Sequence, residues 1–228
     1  MHPFDFAGHS LRLMADRAIY WPARQALFVA DLHLEKASWF AATGQMLPPF
    51  DSLATLTRLL TLAQSCDALE IWALGDSFHD AVGPERMDGQ AIALLEQLAI
   101  GRRLVWIAGN HDAAAELPGE RCEEADIDGL VLRHEAQPGE LRPELSGHFH
   151  PKVRIATVAR TVSRPCAVVG GNRIILPAFG ALTGGLDVQS PAIQSLFPTG
   201  SEALVATRNQ LLRLPIADQR PRTRVRQA

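Results

Sequence analysis

The chain has 228 residues, 47% of them hydrophobic and 21% charged, which argues against a disordered or fibrous protein and suits one domain with a sizeable core. A formal charge of -3 gives no bulk attraction to nucleic acid, so any affinity for phosphate must be local. Cys66, Cys122 and Cys166 are odd in number, widely spaced and without a CxxC pair, which fits a reduced compartment better than a disulfide framework. Neither a signal-peptide pattern nor an apolar run of about 18 residues is visible, so a cytoplasmic protein without a membrane span is expected.

The run holding Leu11, Leu13 and Ile19 reads as a strand ending at Tyr20-Trp21, with a turn at Pro22-Ala23-Arg24-Gln25. Residues 26–30 form a short apolar strand that delivers Asp31-Leu32-His33. In an extended backbone, residues two apart face the same side, so Asp31 and His33, and likewise His148 and His150, are expected to point together. Residues 44–50 are a loop with Pro48-Pro49, and Asp51 is expected to cap the next helix, whose core face is Leu53, Leu56, Leu59, Leu60 and Ala63. The strand at 69–74 ends at Gly75-Asp76. A helix over 91–100 is expected to bury Ile92, Leu95 and Leu98, and the strand at 104–108 leads into Gly109-Asn110-His111-Asp112.

Strand, helix, strand, helix, strand, each strand ending in a metal-capable residue, predicts an α/β fold with a parallel sheet and crossover helices. In such sheets ligands bind beyond the carboxyl ends of the strands. The second half differs. Residues 130–133 end at His134, and Gly147-His148-Phe149-His150 follows a Pro- and Gly-containing loop. Short strands at 167–169, 173–176, 203–206 and 211–214 predict a second, more antiparallel sheet. A single domain is expected over 1–217, with 218–228, carrying Arg220, Arg222, Arg224 and Arg226, as a disordered tail.

Alone, each polar stretch fits a solvated turn. Together they supply Asp31, His33, Asp76, Asn110, His134, His148 and His150, a carboxylate, imidazole and amide set without thiolate that suits manganese, iron or zinc. Seven donors are too many for one tetrahedral site and suit two ions sharing a carboxylate. Asp76, at the middle strand end, is the expected bridge. His111 is a candidate proton donor, with Asp112 expected to hold its imidazole.

Asp31-Leu32-His33, Gly75-Asp76, Gly109-Asn110-His111-Asp112, His134 and Gly147-His148-Phe149-His150 resemble the calcineurin-like metallophosphoesterases, over about residues 26–151. The resemblance implies a four-layer α/β/β/α sandwich with two divalent metals. One would take Asp31, His33, Asp76 and His150, the other Asp76, Asn110, His134 and His148. It also implies attack of a metal-bridging hydroxide on phosphorus, His111 assisting the leaving group. Arg133-His134-Glu135 lacks the Gly often found after that His, and Glu35 stands where many relatives have Gly. His79, three residues after Asp76, lies where relatives often carry a pocket residue.

Ala18-Ile19-Tyr20-Trp21-Pro22, Ala30-Asp31-Leu32-His33-Leu34-Glu35-Lys36 and Leu176-Pro177-Ala178-Phe179-Gly180 with Thr183-Gly184-Gly185 resemble a narrower bacterial subgroup, the ligase-associated DNA damage response endonucleases. That resemblance implies a manganese-dependent phosphodiesterase acting on DNA in repair, associated with an ATP-dependent DNA ligase and a helicase. Lys152, Arg154, Arg160 and Arg164 closely follow the His-Phe-His motif and can contact backbone phosphates, and the Arg-rich tail would add salt-sensitive attraction. The alternatives are a phosphatase or cyclic-nucleotide phosphodiesterase for small substrates, and an inactive scaffold on the same fold.

Overall fold

The computed structural model describes residues 1–112 and 117–216; the Arg-rich tail lies outside the described residues. In chain order the elements are β1 (His2–Phe6), β2 (His9–Leu13), β3 (Ile19–Trp21), β4 (Ala26–Val29), α1 (Lys36–Ala42), α2 (Asp51–Ser65), β5 (Glu70–Leu74), α3 (Gly83–Arg86), α4 (Gly89–Ala99) and β6 (Arg103–Ile107). There follow β7 (Glu120–Cys122), β8 (Ala125–Ile127), β9 (Leu130–Leu132), β10 (Glu144–Ser146), β11 (Lys152–Ala156), β12 (Thr161–Pro165), β13 (Ala167–Gly170), β14 (Arg173–Ile175), α5 (Pro191–Gln194), β15 (Ser201–Ala206) and β16 (Leu211–Ile216).

The fold is mixed α/β. One sheet runs β1-β2-β3-β4-β5-β6-β7, antiparallel up to β4 and parallel from β4 to β7. The other runs β16-β15-β13-β14-β10-β9-β8, and β11 pairs with β12 as a separate ribbon. Period-two alternation on the strands builds the layers. Leu27, Val29, Ile71, Ala73, Leu104 and Trp106 face a core completed by Leu56, Leu59 and Ala63 of α2 and Leu95 and Leu98 of α4. Ala26, Phe28, Trp72, Leu74, Val105 and Ile107 face the opposite way, onto Leu130, Leu132, Leu145, Ala167, Ile174 and Leu204 of the second sheet. That sheet's other face, through Val168, Ile175, Ala203 and Val205, packs on Val153, Ile193, Leu196 and Phe197, from the ribbon and the segment around α5.

Three expectations need correction. The run at 11–21 is two strands, because Met14 N donates to Ala18 O and Arg17 N to Met14 O in a tight turn between β2 and β3. On α4 the buried residues are Ala91, Leu95 and Leu98, one face at helical spacing, while Ile92 is exposed. Asp51 caps a different helix: its Oδ2 accepts the amides of Lys36 and Ala37 at 3.0 and 3.2 Å, at the start of α1. As expected, the second sheet is mostly antiparallel, while β9, β10 and β14 are parallel neighbours. It therefore also presents carboxyl ends, and these carry His134 and the His148–His150 turn. No helix among the described residues is long and apolar enough to cross a membrane.

Candidate metal centre

Five strand ends meet at one place. β4, β5 and β6 deliver Asp31, Asp76 and Asn110; β9 and β10 deliver His134, His148 and His150. Asp31, His33 and His150 form one group of convergent donors, and Asp76, His134 and His148 form another. The Asp76 carboxylate lies between them: Oδ2 is 3.9 Å from His33 Nε2, and Oδ1 is 3.5 Å from His134 Nε2. Within the groups, His33 Nε2 is 3.2 Å from His150 Nε2, and His150 Nε2 is 3.3 Å from Asp31 Oδ1. His148 Nδ1 is 3.1 Å from His134 Nε2 and 3.3 Å from Asn110 Nδ2, which sets the Asn110 amide beside the second group.

The backbone brings these side chains together in an unexpected way. Neither Asp31-Leu32-His33 nor His148-Phe149-His150 is extended. Asp31 (φ 54), His33 (44), Asp76 (47), His148 (70) and His150 (47) are all left-handed. Each such non-glycine residue costs about 1 kcal/mol or more. Alternate left-handed residues make compact turns that point both ends of each motif into one cavity. Backbone bonds lock them: His33 N donates to Asp76 O at 2.9 Å, and His148 N donates to Asp31 Oδ1 at 3.0 Å. Glu35 is left-handed too (φ 62), the conformation in which glycine is cheapest. Its buried carboxylate compensates by accepting from Ser52 and Ser38 Oγ, each at 2.7 Å.

The donor set fits divalent cations. Imidazole nitrogens 3.1–3.3 Å from one another and from carboxylate oxygens place lone pairs face to face, an arrangement a shared cation relieves. Burial first, then the His150 and Lys36 charges, pushes the His33 imidazole down to about 2, so its ring is neutral and free to ligate. The Nδ1 of His134 faces Leu74 O at 3.1 Å; that carbonyl selects the Nδ1–H tautomer and leaves Nε2 for the cavity.

The other expected residues divide. His111 is exposed at the open side, its ring centroid 6.1 Å from that of His33, and its amide donates to Asp76 Oδ1 at 3.1 Å. Asp112 does not serve His111 as expected. Its Oδ1 accepts the amides of Ser77 (2.8 Å) and Phe78 (3.2 Å) and its Oδ2 that of Gly109 (2.9 Å), so it ties the loop after β5 to the loop after β6. Burial pushes its carboxyl above the usual range although those amides oppose the shift. His79 comes to the cluster, its ring centroid 5.8 Å from His33 and 6.3 Å from His111. Lys152 and Arg154 lie on β11, and no contact joins them to the donors among the described residues.

No protein-family model and no curated protein matches the chain. Among solved structures, a nuclease from Pseudomonas putida named MPE aligns over 94% of this chain and 99% of its own, at 32% identity and a TM-score of 0.71. The chain belongs to the family of that nuclease. A protein of unknown function from Aquifex aeolicus aligns over 55% of this chain and 77% of its own, at 17% identity and a TM-score of 0.38, too low to carry an argument.

This family member has features that motif reading missed. Glu135 Oε1 stands 3.6 Å from His148 Nε2, a carboxylate facing the nitrogen turned away from the cluster. Its place directly after His134 was the available signal. Lys36, Trp39 and Phe40 reach the site through α1, whose seven residues have too little apolar periodicity to be read as a helix.

Proposed function

We propose that the chain is a two-metal phosphodiesterase of the calcineurin-like superfamily that cuts DNA, with the four-layer sandwich of that superfamily and a place in the ligase-associated endonuclease subgroup. The observation that carries this reading is the Asp76 carboxylate, with one oxygen turned to each donor group. The nuclease named in its relative supports nucleic acid as substrate. Manganese is the proposed metal, and the proposed setting is cytoplasmic DNA repair beside an ATP-dependent ligase and a helicase.

When bound, two divalent cations supply an activated water and neutralise phosphoryl oxygens. Asp31, His33, Asp76 and His150 would hold one ion, and Asp76, Asn110, His134 and His148 the other. The chain's own contribution lies around them. His111, at the open side, gives a proton to the leaving oxygen. Asp112 fixes the loop that carries His111 and Asn110. His79 stands where substrate would flank the cluster.

The His111→Ala variant keeps its manganese and loses about a hundredfold or more in kcat on an alkyl phosphodiester, with a smaller loss on bis-p-nitrophenyl phosphate, whose leaving group needs no proton. Equal turnover of the alkyl ester by variant and wild type removes His111 from the mechanism. Rates on the bis-ester, on p-nitrophenyl phosphate and on plasmid DNA separate a diesterase from a phosphatase.

The β11–β12 ribbon supports a polyanionic substrate. Lys152, Arg154, Arg160 and Arg164 make no ion pair among the described residues, and Arg154, Arg160 and Arg164 are exposed. Arg154 is exposed opposite Ser163, and the ribbon starts two residues after His150. Replacing Arg154 and Arg160 with alanine lowers the slope of log affinity against log salt by about 0.7 per lost contact to single-stranded DNA. An unchanged slope places the strand elsewhere.

A further inference from the structure

Trp21, Trp72 and Trp106 are 2–4% exposed and belong to the two cores that flank the first sheet. Trp39 differs. It is half-buried on α1, where only Ala37 is buried, and neither it nor Phe40 packs into any of the three cores. Both instead pack on His79. The Trp39 ring centroid is 5.0 Å from that of His79, and Phe40 stacks on the imidazole at 5.8 Å with planes 24° apart. His79 in turn lies 5.8 Å from the donor His33 and 6.3 Å from His111, the latter with planes 29° apart. A continuous aromatic wall thus runs from the metal donors to the surface of α1. Packing of the fold does not account for it, since the wall lies outside every core.

A cation accompanies the wall. Lys36, half-buried at the start of α1 and one helical turn from Phe40, makes no ion pair among the described residues. Aromatic faces beside an ammonium on the same helix match a strand that alternates base and phosphate. An ester without a base would use the metal donors and leave the wall untouched.

We propose that Trp39, Phe40 and His79 form a stacking platform for a nucleobase next to the scissile phosphodiester, with the Lys36 ammonium set to meet a neighbouring phosphate. The proposal rests on the reading of the site as one for nucleic-acid phosphodiesters and adds the residues that grip the substrate. A base that stacks on Trp39 has left its neighbouring base on that face, so the platform takes an unstacked nucleotide.

The test compares kcat/KM, with manganese, on an oligothymidylate and on a strand of the same length made of abasic residues. Wild type, Trp39→Ala and Trp39→Phe are assayed, with bis-p-nitrophenyl phosphate hydrolysis by the wild type alongside. Stacking of one base on one aromatic group corresponds to roughly a tenfold effect. Trp39→Ala is expected to lose about tenfold on oligothymidylate, less than twofold on the abasic strand, and to be rescued by Trp39→Phe. Equal losses on both strands, or no loss on either, overturn the platform. If the wild type hydrolyses the bis-ester but neither strand, the platform falls and the phosphodiesterase reading stands. If it hydrolyses nothing, both fall.

Discussion

In the Asp76→Ala variant, manganese-dependent hydrolysis of bis-p-nitrophenyl phosphate falls by about a thousandfold or more. Residues that only orient a ligand cost about ten- to a hundredfold when removed, and Asp76 reaches both donor groups directly. The same variant separates metal binding from folding. Wild type at a manganese concentration of about 100 times its dissociation constant gains about 2.7 kcal/mol, and the variant gains less than about 1 kcal/mol. Without metal the order reverses or levels. Asp76 is 4% exposed, and an unneutralised buried carboxylate is a liability whose removal offsets the lost bond to the His111 amide. Calorimetry with and without manganese reads both quantities. A variant that loses activity but keeps the full metal-induced stabilisation shows that Asp76 does not join the two groups.

Gly147→Ala has the second large effect, and it reaches the site through space rather than chemistry. A Cβ there would lie 2.6 Å from Asp31 Oδ2 and 2.7 Å from the Ala30 Cβ. The same holds at Gly109, where it would lie 2.6 Å from Asp76 Oδ1 and closer still to the Asp76 amide. These glycines let the ends of β10 and β6 press against the two carboxylates. Overpacking of this kind destabilises by about 1–3 kcal/mol, or roughly 3–10 °C for a chain of this size. Manganese affinity falls with it, because Asp31 must move. Gly89→Ala is the control: no atom stands within 4 Å of a Cβ there, it lies in the first turn of α4, and its φ is not positive. It raises stability by about 0.5–1 kcal/mol. A Gly147→Ala protein that melts with the wild type and binds manganese equally well means that the strand ends are looser than described.

That pair of glycines explains why the site was legible from sequence. Polar residues directly after apolar strands, with glycine before Asp76, Asn110 and His148, mark backbones that must touch, and Asp31, His33, Asp76, Asn110, His134, His148 and His150 all come to one place. The reasoning behind two of those motifs was nonetheless mistaken. Alternation in an extended chain was the expected cause of convergence, whereas left-handed turns at Asp31, His33, His148 and His150 produce it. Single-residue φ leaves no periodic trace. Glu35 did leave one, as a non-glycine at a position where a glycine suits the backbone.

The second sheet was harder to read. β8, β9 and β10 have three residues each, too few for a period, and the parallel register of β9, β10 and β14 is set by tertiary pairing. Asp112 carried the opposite error. Its neighbour in sequence suggested a partner for the imidazole, while the amides of Ser77 and Phe78, 35 and 34 positions away, compete successfully for its oxygens. Trp39 and Phe40 were invisible as functional residues because an aromatic pair on a short helix reads as core until its neighbours are known.

On the proposed reading, seven side chains hold two ions joined through Asp76. Manganese loading of the purified chain, followed by metal analysis and anomalous diffraction at the manganese edge, measures it directly. Two ions per chain are expected, one against Asp31, His33 and His150 and one against Asn110, His134 and His148, with Asp76 touching both. A single ion, or ions bound away from Asp76, would contradict that reading.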